Sequence, residues 1–219
     1  MGISTIERKN RNAVPEVEID EIVVGGGKGY LLVKRVFDIV MSLAGLVVCL
    51  IPMLIIALII KLDSEGCAIY SQERLGLGGR PFMMYKFRSM YIDAEADGPR
   101  WAEKNDRRCT RIGKFLRKTR LDELPQLFNI LLGHMSIVGP RPERACFYDE
   151  FERYIPHFRQ RLWVKPGLTG HAQVNGGYDL GPEEKIVYDL EYMRSRSLRM
   201  DLQCIWKTVL VVLKQDGAR

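Results

Sequence analysis

The longest uninterrupted apolar stretch of the chain predicts its most distinctive element. The 22 residues from Ile39 to Ile60 carry no charged side chain. A helix of that length extends ~33 Å at ~1.5 Å per residue, which matches the ~30 Å hydrocarbon core of a bilayer. Pro52 lies past the middle and removes one backbone hydrogen bond, so the helix should bend there. The pattern predicts a segment in contact with lipid, and leaves open whether it crosses the bilayer or re-enters the same face.

The regions that flank this segment do not settle its direction. Lys34 and Arg35 precede it and Lys61 follows it. The positive-inside rule is therefore compatible with both ends on the cytoplasmic side. Residues 1–30 mix charges with the sequence GGGKG and show no periodic apolar face, so we expect them to form a flexible tail.

Two runs of strand-forming residues around a glycine-rich turn predict a β-hairpin over residues 68–90. Pro81 stands at the start of the second strand, whose side chains alternate between two faces. One face carries Lys86 and Arg88 among apolar groups. Such a face is either ordinary solvated surface or a clamp for phosphate, and the pattern leaves both open.

Helical periodicity dominates the rest of the chain. Apolar residues recur at helical spacing over 124–132, and Gly133 is a natural helix end. Thr119 and Asp122 resemble a capping pair at the start of that helix. Further apolar stripes over 147–162 and 198–213 predict amphipathic helices, which fit either core packing or seating at a membrane interface. The expected fold is α+β and predominantly helical.

An acidic pair is the most informative candidate for chemistry. Asp122 and Glu123 lie close to Arg117 and Arg120 at the start of the predicted helix. A helix N-terminus and neighbouring guanidinium groups stabilise an ionised carboxyl, which would keep Asp122 available as a nucleophile or a metal ligand. Acidic residues in a first helical turn are also common as partners of the helix dipole, so the pair alone does not decide.

Composition and charge narrow the class of partner. Of 219 residues, 47% are apolar and 27% are charged, which supports a packed core. A formal charge of +6 favours an anionic partner. The five cysteines and three histidines lack the spacing of a disulfide framework or zinc site. Arg141, held between two prolines, suits bidentate recognition of phosphate, although a structural turn with an outward Arg fits equally.

Several ordered blocks of sequence resemble those of the small bacterial sugar transferases, which are monotopic phosphoglycosyl transferases. The blocks cover residues 31–214 and read KRVFD, a proline in the apolar segment, YSQERLGLGGRPFMMYKFRSM, LRKTRLDELPQLFNILLG, MSIVGPRP and PGLTGHAQVNG. The resemblance implies a monotopic protein with one re-entrant, Pro-broken helix, amphipathic interfacial helices and a small β-hairpin. It divides the chain into a tail (1–30), a membrane-inserted helix (31–62) and a cytoplasmic catalytic domain (63–219).

The resemblance also implies an activity. A sugar 1-phosphate, here expected to be a hexose, would pass from a UDP-sugar to undecaprenyl phosphate at the cytoplasmic face of the bacterial inner membrane, as the first membrane step of exopolysaccharide, capsule or O-antigen assembly. The family's nucleophile falls on Asp122, which would carry an aspartyl-phosphosugar intermediate, with Glu123 as its companion. Both carboxyls would bind Mg²⁺. Phospholipids are further expected partners, nucleic acid is not, and a homodimer is left open.

Other site residues follow from the same blocks. Arg117 and Arg141 fall on phosphate-contacting positions, and the hairpin face adds Lys86 and Arg88 as candidates. In addition, Lys34 and Arg35 fall where lipid headgroups are met, and Pro52 belongs to the re-entrant helix.

Three positions depart from the family pattern. Ile51 precedes the proline where many relatives have Ser, His134 replaces a common Asp, and His171 stands where Trp is usual. These departures bear on helix bending and on donor preference. The competing hypothesis is a membrane-tethered basic binding module without catalysis. It leaves the acidic pair without a role, and the cations are interleaved with acids rather than gathered in a stripe.

Overall fold

The computed structural model of the protein describes residues 19–96, 98, 106–176 and 180–214. Its longest element is α1, a helix of 36 residues at Lys28–Asp63 that continues through Pro52. Among the described helices, α1 alone is long and apolar enough to cross a membrane. Only 11% of the residues in its apolar window are buried, so α1 is not the core helix of the domain. The apolar segment is therefore a helix, and its path in a bilayer stays a prediction.

Shorter elements follow α1 along the described chain. They are β1 (Ile69–Leu75), β2 (Pro81–Phe87), α2 (Arg111–Lys118), α3 (Gln126–Leu132), β3 (Ser136–Val138), α4 (Ala145–Phe151), β4 (Gly167–Thr169), α5 (His171–Val174), α6 (Pro182–Ser195) and α7 (Leu198–Lys214). Short 3₁₀ turns lie at Leu77–Gly79, Leu121–Glu123 and Phe158–Trp163. The described fold is mostly helical, as the sequence predicts, and contains two small two-stranded sheets.

The predicted hairpin is confirmed. Strands β1 and β2 pair antiparallel, with Tyr70 opposite Lys86 and Gln72 opposite Met84, and Pro81 begins the second strand. Because directly opposed residues share a face, the side chains of Tyr70, Gln72 and Lys86 point to the same side of the hairpin. That side faces the cavity described below.

Helix α3 packs against the hairpin and is hydrogen-bonded to its second strand. The fully buried Asn129 accepts a hydrogen bond from the Tyr85 N–H at 3.0 Å and donates one to the Met83 carbonyl at 2.7 Å. These bonds fix the edge of β2 against the helix. Gly133 ends α3 with φ of 88°, a left-handed conformation that favours glycine, so the predicted helix and its end are confirmed.

The parallel pair β3–β4 is not predicted by the sequence. Ser136 lies in register with Gly167, and Val138 with Thr169. Each strand has three residues, too few for an alternating pattern to be recognised. The β3–β4 pair matters for the site because β3 leads directly into the GPRP segment. The pairing therefore fixes the backbone position from which the Arg141 side chain extends.

The apolar stripe over 147–162 packs into the main core. Phe151, Phe158 and Leu162 are all buried there, beside Tyr148. For this stripe the structure therefore decides in favour of core packing. The second stripe behaves differently, because its apolar side chains on α7 stay exposed, namely Leu202, Trp206, Val209 and Leu213.

Part of the predicted tail belongs to the folded body, which corrects the expectation for residues 19–25. Ile19 and Ile22 are buried in the main core, and the Ile22 N–H donates to Gln160 Oε1 at 2.8 Å. Gly25 N–H donates to the Met193 carbonyl at 2.9 Å. The segment is extended, so it needs no helical periodicity to pack. Residues 1–18 of the predicted tail lie outside the described residues.

Candidate active site

A cavity of ≈ 420 Å³ lies beside the hairpin and contains both members of the acidic pair. Its walls come from β1, β2, the turn after α2, the GPRP segment and α6. The volume is in the range of small-molecule sites. Its lining is rich in cations: Arg74, Lys86, Arg88, Arg108, Arg117, Arg120, Arg141, Arg144, Arg161 and Lys185.

A tight turn places the acidic pair at the cavity. Arg120 has φ of 59°, a conformation that non-glycine residues adopt at a cost of ~1–3 kcal/mol and that occurs often at functional sites. The 3₁₀ turn Leu121–Glu123 follows directly. The predicted capping pair is wrong, because the Thr119 hydroxyl donates backwards to the carbonyls of Phe115 and Leu116 at the end of α2. The reversal of the chain after α2, rather than a helix cap, directs the carboxyls inward.

Glu123 is paired with two cations through one of its oxygens. Its Oε1 accepts hydrogen bonds from Arg141 Nη2 at 2.6 Å and from Lys86 Nζ at 3.2 Å. Burial alone would raise the pKa of Glu123, but the charges of Arg141, Lys86 and Arg120 outweigh it and hold the pKa well below its usual range. Glu123 is therefore a fixed carboxylate that orders the two cations around it.

Asp122 is held differently. Only 7% of the residue is exposed, and among the described residues no hydrogen bond reaches its carboxyl. Burial raises the pKa of Asp122, the nearby Lys86 lowers it, and the Glu123 charge raises it, with a net rise. Burial is the first of these influences, and the role of Asp122 as an ionised nucleophile or metal ligand stays a prediction. Asp122 is a carboxyl with unused lone pairs in a cationic cavity.

The remaining phosphate-site candidates divide into two groups. Lys86 and Arg141 meet at Glu123, and Arg117 lines the same cavity, where its charge acts on Asp122. Arg88 also lines the cavity, but it donates to the carbonyls of Ser64, at 2.7 Å, and of Glu65. Arg88 thus ties the end of α1 to the cavity wall.

The candidates for lipid headgroups are engaged by the protein itself. Lys34 Nζ forms an ion pair with Asp201 at 2.9 Å. Arg35 donates to the carbonyls of Ile130 and Leu131, at 2.7 and 2.8 Å, at the end of α3. Pro52 is exposed within α1. These contacts show how the start of α1 is anchored, and a role toward lipid stays a prediction.

The two carboxyls of the acidic pair are suitable ligands for Mg²⁺ when substrate phosphates supply the remaining ligands. The described residues contain no group of three or more His, Cys, Asp or Glu that could hold a metal by themselves. Asp122 and Glu123 supply two adjacent carboxylates, and Mg²⁺ is commonly bound by one or two carboxylates together with substrate phosphates. The pair therefore fits a metal that arrives with a phosphate ligand.

The substituted histidines lie away from the cavity lining among the described residues. The His134 ring lies 5.8 Å from the Phe82 ring, and His171 Nε2 lies 3.2 Å from a Glu191 carboxylate oxygen.

Sequence reasoning missed most of the outer wall of the cavity. Tyr70, Gln72 and Arg74 alternate along β1 and all line it. The alternation that singles out Lys86 on the second strand would have found them if it had been applied to the first. Arg144 and Lys185 carry no such signal, because only tertiary packing brings α4 and α6 to the hairpin.

Comparison with known proteins finds the family that the sequence blocks resemble, over most of the chain. The family described as bacterial sugar transferase matches residues 29–215. UDP-N-acetylgalactosamine-undecaprenyl-phosphate N-acetylgalactosaminephosphotransferase of Aeromonas hydrophila is 42% identical over 193 residues, which are 87% of this chain and 46% of that protein. UDP-glucose:undecaprenyl-phosphate glucose-1-phosphate transferase of Xanthomonas campestris pv. campestris is 43% identical over 223 residues, 99% of this chain and 46% of that protein.

A third relative names a different sugar. Undecaprenyl-phosphate galactose phosphotransferase of Salmonella typhimurium is 42% identical over 201 residues, which cover 84% of this chain and 41% of that protein. The chain thus spans less than half the length of each of these three relatives.

Proposed function

Because the chain belongs to the bacterial sugar transferase family, we propose that it transfers a sugar 1-phosphate from a UDP-sugar to undecaprenyl phosphate. The names of its relatives supply the donor and acceptor classes. The observation that carries the proposal is the asymmetry of the acidic pair: Glu123 Oε1 is held by Lys86 and Arg141, whereas Asp122 faces a cationic cavity with its carboxyl unengaged by described residues.

The chemistry requires a nucleophile and a binding site for phosphates. A carboxylate oxygen of Asp122 attacks the phosphorus that bears the sugar, and the bond from that phosphorus to the bridging oxygen breaks. Uridine monophosphate leaves with the electron pair. An oxygen of undecaprenyl phosphate then attacks the same phosphorus, and the acyl phosphate bond breaks to restore the carboxylate. Because phosphoryl transfer depends on positioning and charge stabilisation, the cations around the pair have the main catalytic task.

The residues that order this reaction are those around Glu123. By fixing Arg141 and Lys86, Glu123 keeps two donors aimed at the space beside Asp122. Together, Asp122 and Glu123 would hold Mg²⁺, which supplies charge neutralisation at the phosphates when bound. A cation bound beside the carboxyl would oppose the effect of burial, since a nearby positive charge favours the ionised form of Asp122.

We further propose that α1 is re-entrant and lies at the cytoplasmic face of the inner membrane. A straight helix of 36 residues is ~54 Å long. Near its start Arg35 contacts α3, and near its end Ile56 and Ile60 pack against Phe87 and Leu116. Both ends therefore contact one folded body. A helix that crossed the bilayer would place its two ends on opposite sides, which one body cannot reach.

The exposed apolar side chains complete the membrane surface in this proposal. Leu202, Trp206 and Leu213 on α7 and Phe128 and Leu132 at α3 are all partly or largely exposed. An amphipathic helix with an apolar face and flanking cations suits the interface of a bilayer. This placement brings Asp122 close to the depth at which the acceptor's phosphate would sit.

Topology is tested by cysteine labelling of the chain after its native cysteines are replaced. Gly29→Cys and Glu65→Cys introduce thiols at exposed positions near the two ends of α1. In spheroplasts, both thiols should react only with a permeant reagent, because an impermeant one reaches only the outer face. Reaction of either position with the impermeant reagent would show that α1 crosses the membrane.

Activity is tested with purified protein, Mg²⁺, undecaprenyl phosphate and a panel of UDP-sugars. We expect release of uridine monophosphate, with a UDP-hexose as the best donor, although the relatives' names divide among glucose, galactose and N-acetylgalactosamine. Without acceptor, rapid quenching and mass spectrometry should find a phosphosugar adduct on the peptide that contains Asp122. Steady product formation with no adduct at any quench time would contradict the covalent route.

A further inference from the structure

A second polar cluster lies in the same cavity, on β1 and the loop that follows β2. Gln72 is its centre. The Gln72 Oε1 accepts from Arg74 Nη2 at 2.5 Å, and its Nε2 lies 2.9 Å from the Tyr70 hydroxyl and 3.4 Å from Glu95 Oε1. Arg144 Nη1 donates to the same Glu95 oxygen at 2.9 Å. All five residues line the cavity.

Arg74 sets the direction of the amide. Arg has only donors, so the Gln72 atom that it contacts must be the oxygen, and the amide N–H groups must face Glu95. The Glu95 oxygen is thus contacted by an N–H donor of Gln72, at 3.4 Å, and by a donor of Arg144, at 2.9 Å, which gives the sequence donor, acceptor, donor. A bound base would replace these contacts with its own hydrogen bonds.

That order complements one pyrimidine. The edge of uracil presents O4, N3–H and O2, which are acceptor, donor and acceptor. Cytosine presents a donor at N4 and acceptors at N3 and O2, so two of its three groups would face groups of the same kind. We propose that Gln72, Glu95 and Arg144 bind the base of the nucleotide donor and select uracil. The inference rests on the proposed function, since it assigns a role within the same donor site.

The cluster lies at a suitable place relative to the acidic pair. Tyr70 is directly opposite Lys86, which binds Glu123, and Gln72 lies two residues farther along β1, ~6.6 Å away at ~3.3 Å per residue. The base would therefore sit one nucleotide's reach from the reacting phosphorus.

Three guanidinium groups line the cavity at these two clusters. Arg141 contacts Glu123, Arg144 contacts Glu95 and Arg74 contacts Gln72. In this proposal, these cavity-lining cations bind the phosphate next to the ribose.

Tyr70 offers a surface for the base itself. It is 41% exposed, so its ring is open for stacking while its hydroxyl contacts Gln72. Stacking on an aromatic ring is tolerant of sequence, so it adds affinity for either pyrimidine. Selectivity must then come from the hydrogen-bonding row.

The test is calorimetric titration of the full-length detergent-solubilised protein with UDP and with CDP, both with Mg²⁺. The wild-type protein should bind UDP at least about tenfold more tightly than CDP, which corresponds to ~1.4 kcal/mol. The double variant Gln72→Glu/Glu95→Gln changes the row to acceptor–donor–donor, the complement of cytosine. We expect this variant to lower the ratio of UDP to CDP affinity by about tenfold or more.

A matched control lies on the same strand. Glu73 is exposed on the opposite face of β1, so Glu73→Gln should leave the ratio unchanged. Inorganic pyrophosphate, which has no base, reports whether the phosphate site is intact in each variant. An unchanged UDP to CDP ratio in a double variant that still binds pyrophosphate overturns the inference, as does a wild-type protein that binds both nucleotides equally.

A milder substitution provides the test if the double variant does not fold. If the double variant no longer binds pyrophosphate, Gln72→Ala is measured instead. Loss of one hydrogen-bond donor should weaken the binding of UDP more than that of CDP, and equal weakening would reject base selection. The proposed function fails separately, by absence of uridine monophosphate release from every UDP-sugar. Turnover without base selectivity would therefore refute only the inference.

Discussion

Two buried carboxylate clusters in this protein differ in how completely their oxygens are used. Asp201 accepts from the Tyr192 hydroxyl at 2.7 Å and from the Tyr30 hydroxyl and Lys34 Nζ, each at 2.9 Å. It thereby joins the start of α1 to α6 and α7. Asp122 is almost as buried, yet no described hydrogen bond reaches its carboxyl.

The difference separates a structural carboxylate from a reactive one. A buried charge is normally paired because desolvation is unfavourable, and Asp201 follows that rule. Asp122 has no such partner among the described residues, burial raises its pKa, and its lone pairs are left for a substrate. Glu123, which is paired as Asp201 is but by cavity cations, shows that the same site can contain both kinds. Hydrogen-bond pairing, rather than burial alone, therefore distinguishes the candidate nucleophile.

The largest expected effect comes from Asp122→Asn, which keeps the shape but removes the nucleophilic oxygen. Turnover should fall by at least ~10³-fold, because loss of a nucleophile removes the main route of reaction. The check is the initial rate of uridine monophosphate release by protein that still sediments with membranes. Asp149→Asn, at an exposed ion pair with Arg159, serves as the control and should retain full turnover.

Arg141→Ala should have the next largest effect. It removes the 2.6 Å contact to Glu123 and a guanidinium at the cavity. A drop in kcat of ~10²-fold is expected, by analogy with removal of one charge-stabilising donor. Arg141→Lys, which keeps the charge but loses the planar fork, should fall between. If Arg141→Ala turns over within about threefold of wild type, Arg141 has no role at the phosphates.

Asp201→Asn tests the structural side of the comparison. The neutral amide cannot pair with the Lys34 charge, so the free energy of unfolding should fall by ~2 kcal/mol. Activity per folded molecule should change little, since Asp201 lies outside the cavity lining. Chemical unfolding followed by tryptophan fluorescence measures the first, and rates normalised to folded protein measure the second. A large loss of kcat with unchanged stability would reverse the assignment of roles.

The smallest effect is a pH dependence of stability. Burial raises the pKa of Asp122, so the folded state favours its neutral form. The stabilising contribution is full below the ordinary Asp pKa and is lost as pH rises through the raised pKa. Asp122→Asn should therefore equal wild type in stability near pH 3.5 and be more stable at pH 7. Thermal unfolding midpoints at the two pH values measure the difference, and an Asn variant less stable at pH 7 would contradict it.

The local sequence was enough to predict those elements whose residue pattern repeats over a few neighbouring positions. The alternation of Lys86 with apolar neighbours predicted β2 and the face that carries Lys86, and periodic apolar residues up to Gly133 predicted α3. Both patterns depend on contacts that repeat every two or every 3.6 residues, so they are visible along the chain. The position of Asp122 beside Arg117 and Arg120 also came from the sequence, although its hydrogen-bonding state did not.

Long-range pairing decided what those residues do. The sequence pattern placed Lys86 and Arg88 on one face, yet Arg88, which follows β2, binds the residues after α1 while Lys86 binds Glu123. In the sequence, Lys34 and Arg35 are equivalent cations that flank the apolar segment. In the structure, Lys34 pairs with Asp201, and Arg35 donates to a carbonyl at the end of α3. These pairings depend on which residue, distant in sequence, the fold places beside each cation. A local sequence pattern does not encode that placement.

The amino-acid sequence by itself determined an apolar helix, a hairpin with a cationic face and an acidic pair among arginines, because each arises from neighbours in the chain. Only the tertiary structure decided that Glu123 is paired with two cations while no described hydrogen bond reaches Asp122, that Ile22 belongs to the core, and that Gln72 and Arg144 both contact Glu95. Desolvation and hydrogen bonding depend on surroundings in three dimensions, and those surroundings come from segments far apart in sequence.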